Sequence, residues 1–155
     1  IDAYLQVGVN EISISDAPGM AMPKQVYELM GELTARYPQC KFILHFHNTR
    51  GMGIANIMAG MEAGITWYDG SLAGTGGCPF VPGAAGNVST EDIINMCDAQ
   101  GIETGIDLDR IIALGHKLEE YMGHQGGSAV LRGGKNKDIL LRMPTGQGEN
   151  YTQKK

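Results

Sequence analysis

A chain of 155 residues, 43% of them hydrophobic, is long enough for one compact domain with its own core. Its net charge of -5 gives no basis for nucleic-acid binding, and no stretch approaches the roughly 18 consecutive apolar residues of a membrane span. Cys40, Cys78 and Cys97 are odd in number and irregular in spacing, which argues against a disulfide framework and for a reducing compartment (cytoplasm or an organelle matrix) rather than secretion.

In chain order, Ile1 and Leu5 stand four apart and read as the last turns of a helix ended by Gly8. Residues 11–15 follow as a short strand. Pro23 suits a first helical position, and Val26, Leu29, Met30 and Leu33 lie at i, i+3, i+4 and i+7, so an amphipathic helix is predicted over 23–36, ending before Pro38. Residues 41–47 form a second predicted strand, with Phe42, Leu44 and Phe46 on one face and Ile43, His45 and His47 on the other. A helix over 52–63 carries Ile54, Ile57, Met58 and Met61 and stops at Gly64; a third strand spans 65–71. Ser89 with Asp92 three residues on marks the start of a helix running to about residue 99. A last long helix is predicted over 107–122, with Leu108, Ile111, Ile112, Leu118 and Met122 turned inward. From Gly123 the composition becomes glycine-rich and polar, so residues 123–155 read as a flexible or partly helical tail whose apolar patch, Ile139 to Leu141, could dock back. Strands alternating with helices of this length define parallel βαβ units and an α/β fold.

Two stretches carry the chemistry. In His45-Phe46-His47-Asn48-Thr49, the imidazoles at i and i+2 face the same side of a strand, at the end where parallel barrels place their functional groups. Each offers a lone pair to a divalent cation, although the spacing alone is equally that of interior histidines held by hydrogen bonds. The second stretch, Gly74-Thr75-Gly76-Gly77-Cys78-Pro79 running on to Asn87, sets a thiol on a glycine-rich loop and follows it with an amide just ahead of a helix start. Asn87 is a hard neutral oxygen ligand or a turn residue after Gly86. Asp16 closes the first strand as an active-site carboxylate or as the turn former before Pro18-Gly19. The loop lacks the Lys-Ser/Thr ending of a phosphate-binding P-loop. His116 and His124 read as surface residues, and Asp69 faces inward with no catalytic role assigned.

These motifs, with Glu11-Ile12-Ser13-Ile14-Ser15-Asp16 before them and Thr90-Glu91-Asp92 to Gly101-Ile102-x-Thr104-Gly105 after them, resemble the 3-hydroxy-3-methylglutaryl-CoA lyases, within the metal-dependent TIM-barrel lyases and Claisen-type synthases. The resemblance covers roughly residues 1–118. It implies a partial (β/α)8 barrel: about three C-terminal parallel βα units, equivalent to strands 6 to 8, plus a C-terminal helix, with residues 1–122 as the C-terminal part of the barrel domain. A whole barrel of this kind has eight strands and about 250 residues. It further implies His45, His47 and Asn87 as ligands of Mg²⁺ or Mn²⁺, with the fourth ligand an aspartate on a first barrel strand that has no counterpart here. His45, Cys78 and Asp16 become the catalytic residues, Asn48 and Glu91 their supports, and Gly76 and Gly77 the mobile substrate loop.

The implied reaction is metal-assisted retro-Claisen cleavage of a 3-hydroxy-3-methylglutaryl-CoA-like acyl-CoA to acetyl-CoA and acetoacetate, incomplete in this chain alone. Related readings are an isopropylmalate- or homocitrate-type synthase and an inactive barrel fragment that assembles and binds metal. The open sheet edges lead us to expect a homo-oligomer or association with the missing barrel half.

Overall fold

The computed structural model describes residues 1–77, 79–135 and 138. It contains α1 (Asp2–Gln6), β1 (Glu11–Asp16), α2 (Pro23–Arg36), β2 (Lys41–Phe46), α3 (Gly53–Glu62), β3 (Trp67–Asp69), a 3-10 turn at Leu72–Gly74, α4 (Thr90–Ala99), α5 (Leu108–Met122) and α6 (Ala129–Gly133). The strands form one parallel sheet in the order β1-β2-β3, with Ile12 opposite Phe42, Ser15 opposite His45, and His45 opposite Asp69. This is the α/β class expected, as three successive βα units of a barrel.

The alternation along β2 sorts its side chains as period-2 geometry requires. Phe42, Leu44 and Phe46 are buried against α2 and α3, in a core with Val26, Met30, Ile57, Val88, Ile93 and Cys97. The opposite face carries Glu11, Lys41, His45, Trp67 and Asp69 in register, with Lys41 paired to Glu11 at 3.3 Å and its ammonium 3.5 Å from the Trp67 ring centroid.

Two expectations change. Leu29, placed on the inward stripe of α2, is 43% exposed, because it overhangs edge strand β1 and lines a groove of about 410 Å³ with Ile14, Val26 and Met30. The third strand shrinks from 65–71 to Trp67–Asp69. Ile65 N instead donates to Gly60 O at the end of α3, and Ser71 pairs with Ser89 rather than with β2.

The polar residues at the start of α4 tie the C-terminal elements together. Ser89 Oγ accepts from Asp92 N at 3.1 Å, the side-chain cap that the Ser89/Asp92 spacing indicates. The Asp92 carboxylate then accepts from Ser128 Oγ, Ala129 N and Val130 N, so α6 begins on an acidic anchor and buries Val130 and Leu131. Thus part of the segment set apart as a tail is packed onto α4 and α5, while the Ile139–Leu141 patch lies outside the described residues.

Candidate metal and catalytic site

The site forms where β2 ends. Past Phe46 the chain runs beside residues 86–88: Val88 N donates to Phe46 O at 3.0 Å, Asn48 N donates to Gly86 O at 2.9 Å, and His47 forms an antiparallel bridge with Asn87. Gly86 is required there. Its φ is +93°, and a Cβ would fall 2.4 Å from Gly74 O and 2.7 Å from Gly76 O. The glycine-rich loop therefore folds back on the segment that presents Asn87, and Asn87 N donates to Gly76 O at 3.1 Å.

Asn87 spends its amide N–H on Thr75 O at 2.8 Å, leaving Oδ1 buried without a partner. His47 Nδ1 is also buried and unpartnered. Burial lowers the His47 pKa, with the neighbouring His45 charge acting in the same direction and Asp16 opposing it. The ring is thus kept in its neutral, lone-pair form. The His45 and His47 rings stand with centroids 5.2 Å apart at an interplanar angle of 68°. Two imidazoles and one amide side chain lie on these bridged segments, and His47 Nδ1 and Asn87 Oδ1 meet no protein partner. That donor set fits a divalent cation. Among the described residues no three of His, Cys, Asp and Glu form a metal-holding group.

The remaining predicted residues are distributed around this centre. Asp16 holds its own loop, accepting from Met20 N and Ala21 N at 2.9 Å each. Asn48 Oδ1 accepts from Gly53 N at 3.2 Å at the start of α3. Arg50 donates to Pro18 O at 2.9 Å, so the loops after β1 and β2 are latched together. Glu91 is fully buried and accepts from Ala73 N at 2.8 and 3.1 Å, holding Ala73 in a left-handed conformation (φ 55°, ψ 17°) at the head of the glycine loop. Burial raises the Glu91 pKa, opposed by the backbone hydrogen bonds it accepts. Gly76 lies against the Asn87 amide, where a Cβ would come within 2.9 Å of Nδ2, and Gly77 follows it on the loop. Cys78 lies outside the described residues.

Asp69, to which the residue pattern gives no catalytic role, contacts His45 Nδ1 through its carboxylate across the β2–β3 pairing. Alternation put it on the correct face; only the strand register put it opposite His45.

Successive parallel βα units with polar side chains gathered at the strand ends define the α/β-barrel class, in which functional groups sit at that end. The family profile described as HMGL-like matches residues 1–117, and the chain belongs to that family. It is 41% identical over 122 residues to the hydroxymethylglutaryl-CoA lyase YngG of Bacillus subtilis, covering 79% of this chain and 41% of that protein. It is also 41% identical over 119 residues to the (R)-citramalyl-CoA lyase of Chloroflexus aurantiacus, covering 77% of this chain and 38% of that protein. Its fold superposes on an HMG-CoA lyase from Acinetobacter baumannii, solved with coenzyme A and 3-methylmalate, with a TM-score of 0.83 and 43% identity over 89% of this chain and 45% of that one. The chain thus spans about two-fifths of the length of these curated relatives.

Proposed function

We propose that this chain supplies the metal-binding and proton-handling part of a carbon–carbon lyase acting on a 3-hydroxy-3-methylglutaryl-CoA-like thioester. The observation that carries this reading is the pair of buried, unpartnered acceptors, His47 Nδ1 and Asn87 Oδ1, on bridged segments at the end of β2. His45, His47 and Asn87 would hold Mg²⁺ or Mn²⁺; when bound, the cation supplies Lewis-acid polarisation and a template for the substrate's oxygens.

The chain's own residues take the proton steps. A base at the site accepts the tertiary hydroxyl proton, with His45 taking part in that transfer. The hydroxyl oxygen then becomes a ketone as the carbon–carbon bond breaks, its electron pair leaving on the acetyl-CoA enolate, and acetoacetate is released. Cys78 is the acid that protonates the enolate. Glu91 and Asn48 hold the framework, through Ala73 and Gly53 respectively. Asp16 orders the loop beside the site while raising the His47 pKa against the burial effect.

The (R)-citramalyl-CoA lyase relative, at equal identity, favours citramalyl-CoA as a second thioester to assay. The outer edges of β1 and β3 carry no strand among the described residues, so association with further barrel strands or with a second copy belongs to the same proposal. The test is incubation with Mn²⁺ and each thioester, with light scattering to read assembly. Acetoacetate from the hydroxymethylglutaryl thioester, or pyruvate from the citramalyl thioester, abolished by Cys78→Ser, supports the lyase. Mn²⁺ binding without turnover reduces the chain to a metal-binding barrel part.

A further inference from the structure

We infer that Asp69 is the positioning residue for His45: its carboxylate accepts the Nδ1–H and so leaves the Nε2 lone pair free for the cation or the substrate proton. The inference rests on the metal and proton-transfer reading of His45 proposed above. Three observations lead to it. The Asp69 carboxylate meets His45 at Nδ1. The two residues are direct partners in the parallel register, so backbone hydrogen bonding between β2 and β3 sets their approach, and not a chance meeting of long side chains. The chain just past Asp69 is also constrained: a Cβ on Gly70 would lie 2.8 Å from Val88 O and 3.0 Å from Ile93 Cδ1, which seats the end of β3 tightly against the segment carrying Asn87.

A neutral imidazole has one N–H and one lone pair, and whichever nitrogen donates to a neighbour leaves the other to act as ligand or base. A carboxylate accepts only, so Asp69 selects the Nδ1–H tautomer. His47 has no such partner on Nδ1, and that atom is left bare. The two histidines therefore differ at Nδ1: that of His45 meets a carboxylate, and that of His47 meets no protein partner. The two rings, two residues apart on one strand face, stand 5.2 Å apart and are turned 68° to each other. Carboxylate partners of ligating histidines generally contribute about 10- to 100-fold in metal affinity.

The test is long-range ¹⁵N–¹H correlation NMR of the full chain with labelled histidine, without metal, at mildly alkaline pH, with the His45 signals assigned by their loss in His45→Gln. The expected result is an Nδ1–H tautomer for His45 in the unsubstituted protein and a shift toward Nε2–H in Asp69→Ala. Mn²⁺ affinity should fall about 10- to 100-fold in Asp69→Ala, with Trp67→Phe on the same strand face leaving it unchanged. An Nε2–H tautomer in the unsubstituted protein overturns the assignment, as does an Asp69→Ala protein with the same tautomer and the same affinity. If the unsubstituted protein binds no Mn²⁺, the metal reading fails by itself, and the tautomer measurement still decides the role of Asp69.

Discussion

At the start of α4, Glu91 is fully buried with its carboxylate on Ala73 N, and Asp92 accepts from three donors at the start of α6. At the end of β2, His47 Nδ1 and Asn87 Oδ1 are just as removed from solvent and touch no donor at all. Both regions are polar, and each lies close to the glycine-rich loop. One uses its polar atoms to hold backbone in place, including a left-handed alanine that costs about 1–2 kcal/mol to maintain. The other withholds them from the protein. A buried polar atom without a partner costs about 1–3 kcal/mol, and the two on these bridged segments are the observation behind the proposed cation site. Thr49 Oγ1, on the same loop as His47, and Asn56 Oδ1, on α3, are likewise bare.

If the two regions follow these opposite rules, substitutions should separate binding from stability. His47→Leu keeps the apolar volume and removes the bare nitrogen, so Mn²⁺ affinity by calorimetric titration should fall more than about 100-fold while the unfolding free energy from urea titration stays within about 1 kcal/mol of the unsubstituted protein. A large loss of stability would mean that His47 is an ordinary core residue. Glu91→Ala should do the reverse. Ala73 N loses its acceptor and a void opens beside Gly115 and Leu131, for a loss of about 3 kcal/mol in chemical denaturation. Asp92→Ala removes the anchor of α6 and should cost about 1–2 kcal/mol, with faster hydrogen exchange confined to the Ala129–Gly133 amides.

The smallest effect is a pH dependence. Burial raises the Glu91 pKa above its ordinary value of 4.5 in the folded state, so the folded protein binds that proton more tightly than the unfolded chain does. The associated stability is fully present below the unfolded value and declines as pH rises through the folded one. Denaturation midpoints measured across this range should therefore fall, and Glu91→Gln should flatten the slope. A slope unchanged by Glu91→Gln would show that the buried carboxyl is not its source.

Much of this architecture is legible in the sequence because it depends on neighbours close in the chain. Pro23 at a helix start, Ser89 capping Asp92, Gly123 in the left-handed region after α5, and the alternation that turns His45 away from Phe42 and Leu44 are local effects, and the elements fall within a residue or two of expectation except at the third strand. Leu29 and β3 departed from expectation because an edge position is a property of the assembled sheet: nothing in the residue pattern says that a helix face will overhang an unpaired strand.

By itself, then, the sequence determined the parallel βα succession, the shared face of the two histidines, and the motif set that places the chain in the HMGL-like family. Only the tertiary structure decided which atoms are satisfied. Asn87 reaches His47 from forty residues away because Gly86 lets the loop cross the Gly74 and Gly76 carbonyls, and Asp69 meets His45 because the register of β2 and β3 places them opposite each other. Glu91, on the first turn of α4, is sealed between the Ala73 turn and Gly115. Hydrogen-bond satisfaction and desolvation depend on which distant segments come together, and local residue spacing does not encode that.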